Sequence, residues 1–154
     1  METTHRYEVR AKATRVRSGV VASDEIPSPI IFSAPPEFSG EAHVWTPEHF
    51  FVAALVSSYV STFSGMSDLA TFHFFSFEVE AEGVVEKEAS GWKFTEIHLR
   101  PSLKITREED RERGAQLLEE AERNCLIARS ITARVRLVPT IKIVPEAVLA
   151  EAVQ

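Results

Sequence analysis

From His5 to Val16 apolar and polar residues alternate, with Tyr7, Val9, Ala11 and Ala13 on one side and Arg6, Glu8, Arg10 and Lys12 on the other. A period of two is the mark of a half-buried strand. Arg17-Ser18-Gly19 supplies a turn, and Val20 to Ala22 returns as an antiparallel partner, so a hairpin is expected. Ser28 to Ser33 reads as another short strand, and Pro35-Pro36 to Gly40 breaks the chain. The period then changes. From Pro47 to about Phe63 or Gly65 the apolar residues Phe50, Phe51, Val52, Ala54, Leu55, Val56, Tyr59, Val60 and Phe63 lie nearly all round a helix, which predicts a central, mostly covered element. Thr46 suits its N-cap, Pro47 its first position and Glu48 the positive end of its dipole.

Phe72 to Ala81 reads as a strand, paired across a Glu86 to Gly91 turn with Trp92 to Leu99. The inward phase set by Trp92 and Phe94 shifts at Ile97 and Leu99, which places a bulge near Thr95-Glu96. Thr106-x-x-Glu109 has the spacing of a capping box and predicts a second helix carrying Leu117, Leu118 and Ala121, the helical pattern resuming or continuing through Asn124 to Ile131 and taking Cys125 with it. Arg134 to Val144 alternates through Val135, Leu137, Ile141 and Ile143 as a last strand, with Pro139 at an edge or bulge. Strands, helix, strands, helices, strand is an α+β order without βαβ repeats. One domain spanning 1–154 is expected.

Composition narrows the function classes. With 154 residues, 44% hydrophobic and 26% charged, the chain reads as an ordinary soluble globular protein. A net charge of −6 and a pI near 5.4 give no reason to expect a nucleic-acid partner. Charges interrupt the N-terminal segment, so no signal peptide is read there, and the apolar run Phe50 to Val56 is too short for a bilayer; the cytoplasm is the expected compartment, without a membrane partner. A single cysteine excludes an intrachain disulfide. His5, His43, His49, His73 and His98 lack the spacing of a ligand set, so neither a metal nor another cofactor is expected.

Two segments carry a resemblance. W-T-P-E-H-F-F-V-A-A-L-V-S-S-Y (Trp45 to Tyr59) resembles the first active-site helix of the OsmC/Ohr family (osmotically inducible protein C and organic hydroperoxide resistance protein). In that family the peroxide-attacking cysteine follows the proline by eleven positions, and counting from Pro47 lands on Ser58. E-E-A-E-R-N-C-L-I-A-R-S-I (Glu119 to Ile131) resembles the second segment, with Cys125 at the second cysteine and Leu126 where proline usually stands. The similarity extends from the first hairpin to the last strand. It implies an intertwined homodimer in which an antiparallel sheet wraps a central helix from each subunit, with two sites at the interface. It also implies thiol-dependent reduction of organic hydroperoxides, recycled by an external thiol. Arg17, in the Arg-x-Gly turn, and Glu48, in the Pro-Glu pair, match the residues that hold the family's thiolate ready.

Ser58 removes the ordinary chemistry. Peroxide attack needs a thiolate, and a serine hydroxyl neither ionises near neutrality nor has a sulfur's oxidation ladder. Alternatives stay open at each position. Ser58 is a binding or catalytic group, or a small polar residue bonded to its own helix. Cys125 is a one-cysteine nucleophile or an inert core thiol. Arg17 is a site residue or a solvated turn, with Arg15 close enough to compete for the role, and Glu48 is accounted for equally by the helix dipole. The phenylalanines Phe50, Phe51, Phe63, Phe72, Phe74, Phe75 and Phe77 line an apolar ligand pocket or form core. Glu48 and Ser58 stand ten residues apart, roughly 15 Å along a helix, so one site holding both needs Glu48 from the partner subunit or a helix that starts after it. The functions left are a one-cysteine peroxidase, a catalytically inactive homodimer binding a small apolar or peroxide-like molecule, and a structural homodimer.

Overall fold

The computed structural model describes residues 3–151, and the chain divides after Phe51 into two compact units, 1–51 and 52–154. In the first unit, β1 (Arg10–Arg15), β2 (Ser18–Ser23) and β3 (Ile26–Ser33) form a three-stranded antiparallel sheet in chain order. The first strand starts at Arg10 rather than His5. Its turn is Val16-Arg17, earlier than expected, because Ser18 and Gly19 are already paired with Ser33 and Phe32 of β3. Every residue of β1 is exposed, so its alternation does not record burial within this chain. Phe32 bridges to Trp45, and the Ser33 amide donates to the Trp45 carbonyl at 2.9 Å, which ties the end of β3 to the start of the helix that follows.

That helix is α1 (Pro47–Leu69). Thr46 caps it as expected, its Oγ1 accepting from the His49 amide at 3.1 Å. The helix runs past Gly65, and Thr71 then reverses the chain at φ 51° while the Phe72 amide closes onto the Ser67 carbonyl at 2.8 Å. Only the stripe Leu55, Tyr59, Phe63 and Ser67 is buried, so within one chain α1 is not covered all round, contrary to the reading from its composition. At 23 residues, with a mean hydropathy of 1.3 over its most apolar window, it is long and apolar enough to cross a membrane, a test that core helices also pass.

In the second unit β4 (Ser76–Glu88) and β5 (Gly91–Ile105) make a long antiparallel hairpin. Val84 pairs with Glu96 and Val85 with Phe94, leaving Thr95 as the extra residue where the phase change had placed it. Its hydroxyl donates to the Glu86 carboxylate. Beyond the bulge Ile97, Leu99, Pro101, Leu103 and Ile105 are buried on one face of β5. Gly83 allows the closest approach in this region: an added Cβ would stand 2.6 Å from Phe94 and 2.7 Å from Val52. The final strand is two strands, β6 (Arg134–Leu137) and β7 (Thr140–Ile143), split at Val138-Pro139 and both parallel to β5.

The second helix also departs from expectation. Thr106 caps nothing; residues Glu108–Asp110 form a 3₁₀ turn whose acids pair with Arg107 and Arg111, and α2 (Arg111–Asn124) begins after it. Gly114, Leu117, Leu118 and Ala121 are its buried face, and Gly114 lets it sit close to Leu103 and Phe72. The helix does not continue through Cys125. That residue is extended (φ −63°, ψ 118°), and a separate short helix, α3 (Leu126–Ser130), follows; α4 (Glu146–Glu151) closes the described chain. The fold is α+β.

Candidate functional site

The break between α2 and α3 is what places the one cysteine. An extended residue between two helices turns its side chain off the helical register, and Cys125 is 0% exposed against α1. Its Sγ lies 3.2 Å from Ser58 Oγ, the thiol donating to the hydroxyl. Two positions 67 residues apart are thus in contact. Ser58 is half-buried, one residue before the core stripe, and its carbonyl accepts from Thr62 Oγ1 at 2.8 Å. Its neighbour Ser57 bonds back to Ala53, the bland arrangement considered for Ser58, whereas Ser58 Oγ faces the thiol.

Tyr59 completes this corner and was read only as an apolar helix position. Its phenol donates to the Leu118 carbonyl at 3.0 Å, and burial, with the charges of Glu122 and Cys125 adding to it, pushes its pKa well up. It therefore stays a proton donor that pins α1 to α2 beside the Ser58–Cys125 contact. Among the aromatic residues nearby Phe63 is core; its ring is tilted against half-buried Phe77 with centroids 4.0 Å apart and lies 5.5 Å from half-buried Phe74. Phe50 belongs to the first unit, stacked on Trp45.

In the first unit, Arg15 and Arg17 separate. Arg15 pairs with Glu41 at 2.8 Å. Arg17 is exposed and has no ion pair among the described residues; it sits at φ 64° with its carbonyl accepting from the Ala34 amide at 2.8 Å. Glu48 lies in the first turn of α1, half-buried, with Oε2 out of solvent and without a hydrogen-bond partner among the described residues. Because α1 already begins at Pro47, a helix starting after Glu48 is ruled out. Ser33 and Glu41, which meet Ser18 beside the Arg17 turn, had no signal in the sequence, being polar residues far from it in the chain.

His49 is engaged by Thr46 and His98 by Glu96, and no three His, Cys, Asp or Glu side chains gather as a metal set among the described residues. The arrangement at Ser58 offers one sulfur, one hydroxyl and one fixed phenol. It has no second sulfur for a disulfide.

A family model described as "OsmC-like protein" matches residues 40–139. The Bacillus subtilis protein YmaD is 25% identical over 108 residues, covering 68% of this chain and 72% of its own length. Among solved structures, an OsmC-like protein of Vibrio cholerae superposes with a TM-score of 0.79 at 22% identity, covering 89% of this chain and all of that one. An organic hydroperoxide resistance protein from Legionella pneumophila gives 0.71 at 18% identity, over 91% of this chain and 100% of its own. At these identities the superpositions speak for the fold.

Proposed function

Because the chain belongs to the OsmC-like protein family, related to organic hydroperoxide resistance proteins, we propose that it is a cytoplasmic, homodimeric stress-response protein that keeps the family's small-molecule site and has lost its two-thiol peroxide chemistry. The observation that carries this reading is the contact of Ser58 Oγ with the Cys125 thiol at 3.2 Å, where the family would hold two sulfurs. The serine cannot form a sulfenic acid, and the buried thiol has no partner with which to close a disulfide. The ligand is a small apolar molecule or an organic hydroperoxide. Arg17 and Glu48, brought by the partner subunit, face it, since one helix beginning at Pro47 sets Glu48 about 15 Å of rise from Ser58. The chain works as a single OsmC-like domain.

The competing reading is a one-cysteine cycle, which the free thiol at the site favours. In it Cys125 attacks the peroxide, releasing an alcohol and becoming a sulfenic acid; two equivalents of an external thiol then reduce it, leaving a disulfide and water. Total burial of Cys125 weighs against it. Purified protein and Cys125→Ser are assayed with an alkyl hydroperoxide and dithiol or lipoyl reductants. No turnover in either supports the binding reading, and turnover lost in Cys125→Ser overturns it.

A further inference from the structure

We infer that Ser33 is a positioning residue for Arg17, holding the guanidinium of the first hairpin turn in register with the helix start that carries Glu48; the inference rests on the site proposed above. Ser33 is 1% exposed, and its hydroxyl has three hydrogen-bond partners. Its hydroxyl accepts from the Glu41 amide at 2.9 Å and from Ser18 Oγ at 3.1 Å, and donates to the Arg17 carbonyl at 3.4 Å. Its own amide donates to the carbonyl of Trp45, next to the Thr46 cap, at 2.9 Å. One residue therefore joins the Arg17 turn, the Glu41 segment and the entry to α1.

Arg17 needs such a hold. At φ 64° a side-chain-bearing residue is in the left-handed region, a conformation that persists only where its surroundings fix it. Two donors do so through its carbonyl, the Ala34 amide at 2.8 Å and Ser33 Oγ. Glu41 meanwhile occupies Arg15 at 2.8 Å, and its Oε1 lies 3.3 Å from Ser18 Oγ. The competing arginine is thereby held against the same network, and Arg17 is left to reach a ligand. An alanine at position 33 would leave the Glu41 amide without its acceptor and the Arg17 carbonyl without one of its two donors, and so loosen the turn.

The test uses the single-thiol protein Ser58→Cys/Cys125→Ser and the pH dependence of its alkylation by iodoacetamide. A thiol in reach of Arg17 titrates below the ordinary value of about 8.5. Arg17→Ala is expected to raise it to about that value. Ser33→Ala is expected to produce at least half of this rise, to add nothing in the presence of Arg17→Ala, and to be rescued by Ser33→Thr. A rise with Arg17→Ala but none with Ser33→Ala overturns the inference and leaves the site standing. No rise with Arg17→Ala overturns the site and the inference together. Should Ser33→Ala fail to fold, Ser18→Ala removes one donor to the same hydroxyl and is expected to give a smaller rise; no rise there counts against the inference equally.

Discussion

At the scale of single residues, the contact between Ser58 and Cys125 makes a direct prediction. Oγ and Sγ are already 3.2 Å apart, and a disulfide needs its sulfurs at about 2.05 Å, so Ser58→Cys asks for an approach of about 1 Å. Mild oxidation of that variant by an added two-electron oxidant is expected to consume both thiols within one chain, seen as a loss of two hydrogen atoms in the intact mass and of all free thiol. A folded variant that keeps both thiols would show that the side-chain directions have diverged beyond bonding. Glu96 provides a second test, away from the site. Its carboxylate accepts from Arg136 at 2.6 Å and His98 at 3.0 Å; the bond from Arg136, then that from His98, lowers its pKa from 4.5 to about 2. A carboxyl more acidic in the folded state contributes stability that is complete above 4.5 and is lost as pH falls through about 2. Glu96→Gln is therefore expected to lower the urea midpoint slightly near neutrality and to converge on the parent by about pH 2. The effect is small because the pair is open to solvent screening. A gap that widens with acid would contradict the sign.

At the scale of elements, the start of α1 was the most legible feature, since a cap, a proline and an acid in succession are local signals that need no tertiary help. Thr46→Ala is expected to cost about 1 kcal/mol in chemical denaturation, with Thr46→Ser recovering most of it; equal losses in both would mean that packing, not the cap, is at stake. The bulge at Thr95 was legible for a similar reason, because an extra residue must shift the inward phase of everything beyond it. The failures have causes that spacing does not reveal. Thr106 had the spacing of a capping box, but Arg107 takes Glu109 and Asp110, and Arg111 takes Glu108, into local ion pairs, and a 3₁₀ turn intervenes. The pattern of A-E-R-N-C-L-I-A-R fits a helix that continues as well as one that resumes, and it is the stop at Asn124 that turns Cys125 inward. Ser58 and Cys125 were each identifiable from motif position. Their contact was not, because it depends on that break. The network at Ser33 left no trace in periodicity, its partners being one serine and the backbone of Arg17, Glu41 and Trp45.

At the scale of the whole molecule, the burial pattern calls for a cover. Among the described residues of the first unit the buried side chains are Ser18, Ser33, Thr46 and Pro35, while Tyr7, Val9, Val16, Ile26, Ile30, Ile31 and Trp45 are exposed. A three-stranded sheet without an apolar core of its own is not stable in water. Likewise α1 buries one stripe of a helix that is apolar nearly all round. Apolar surface on this scale marks an interface. The proposed homodimer accounts for both exposures at once and for the position of Glu48, which a single helix keeps away from Ser58. Light scattering is expected to give twice the 17.2 kDa of one chain, and the thermal midpoint should rise with protein concentration, since association and folding are then one equilibrium. Ile31→Glu separates the cases further. On a monomer surface this change stays within about 0.5 kcal/mol, whereas at a subunit interface it buries an unpaired carboxylate and drives the protein to unfolded or monomeric chains. A concentration-independent midpoint together with a tolerated Ile31→Glu would leave the exposed sheet without its cover and remove the basis for a site shared between subunits.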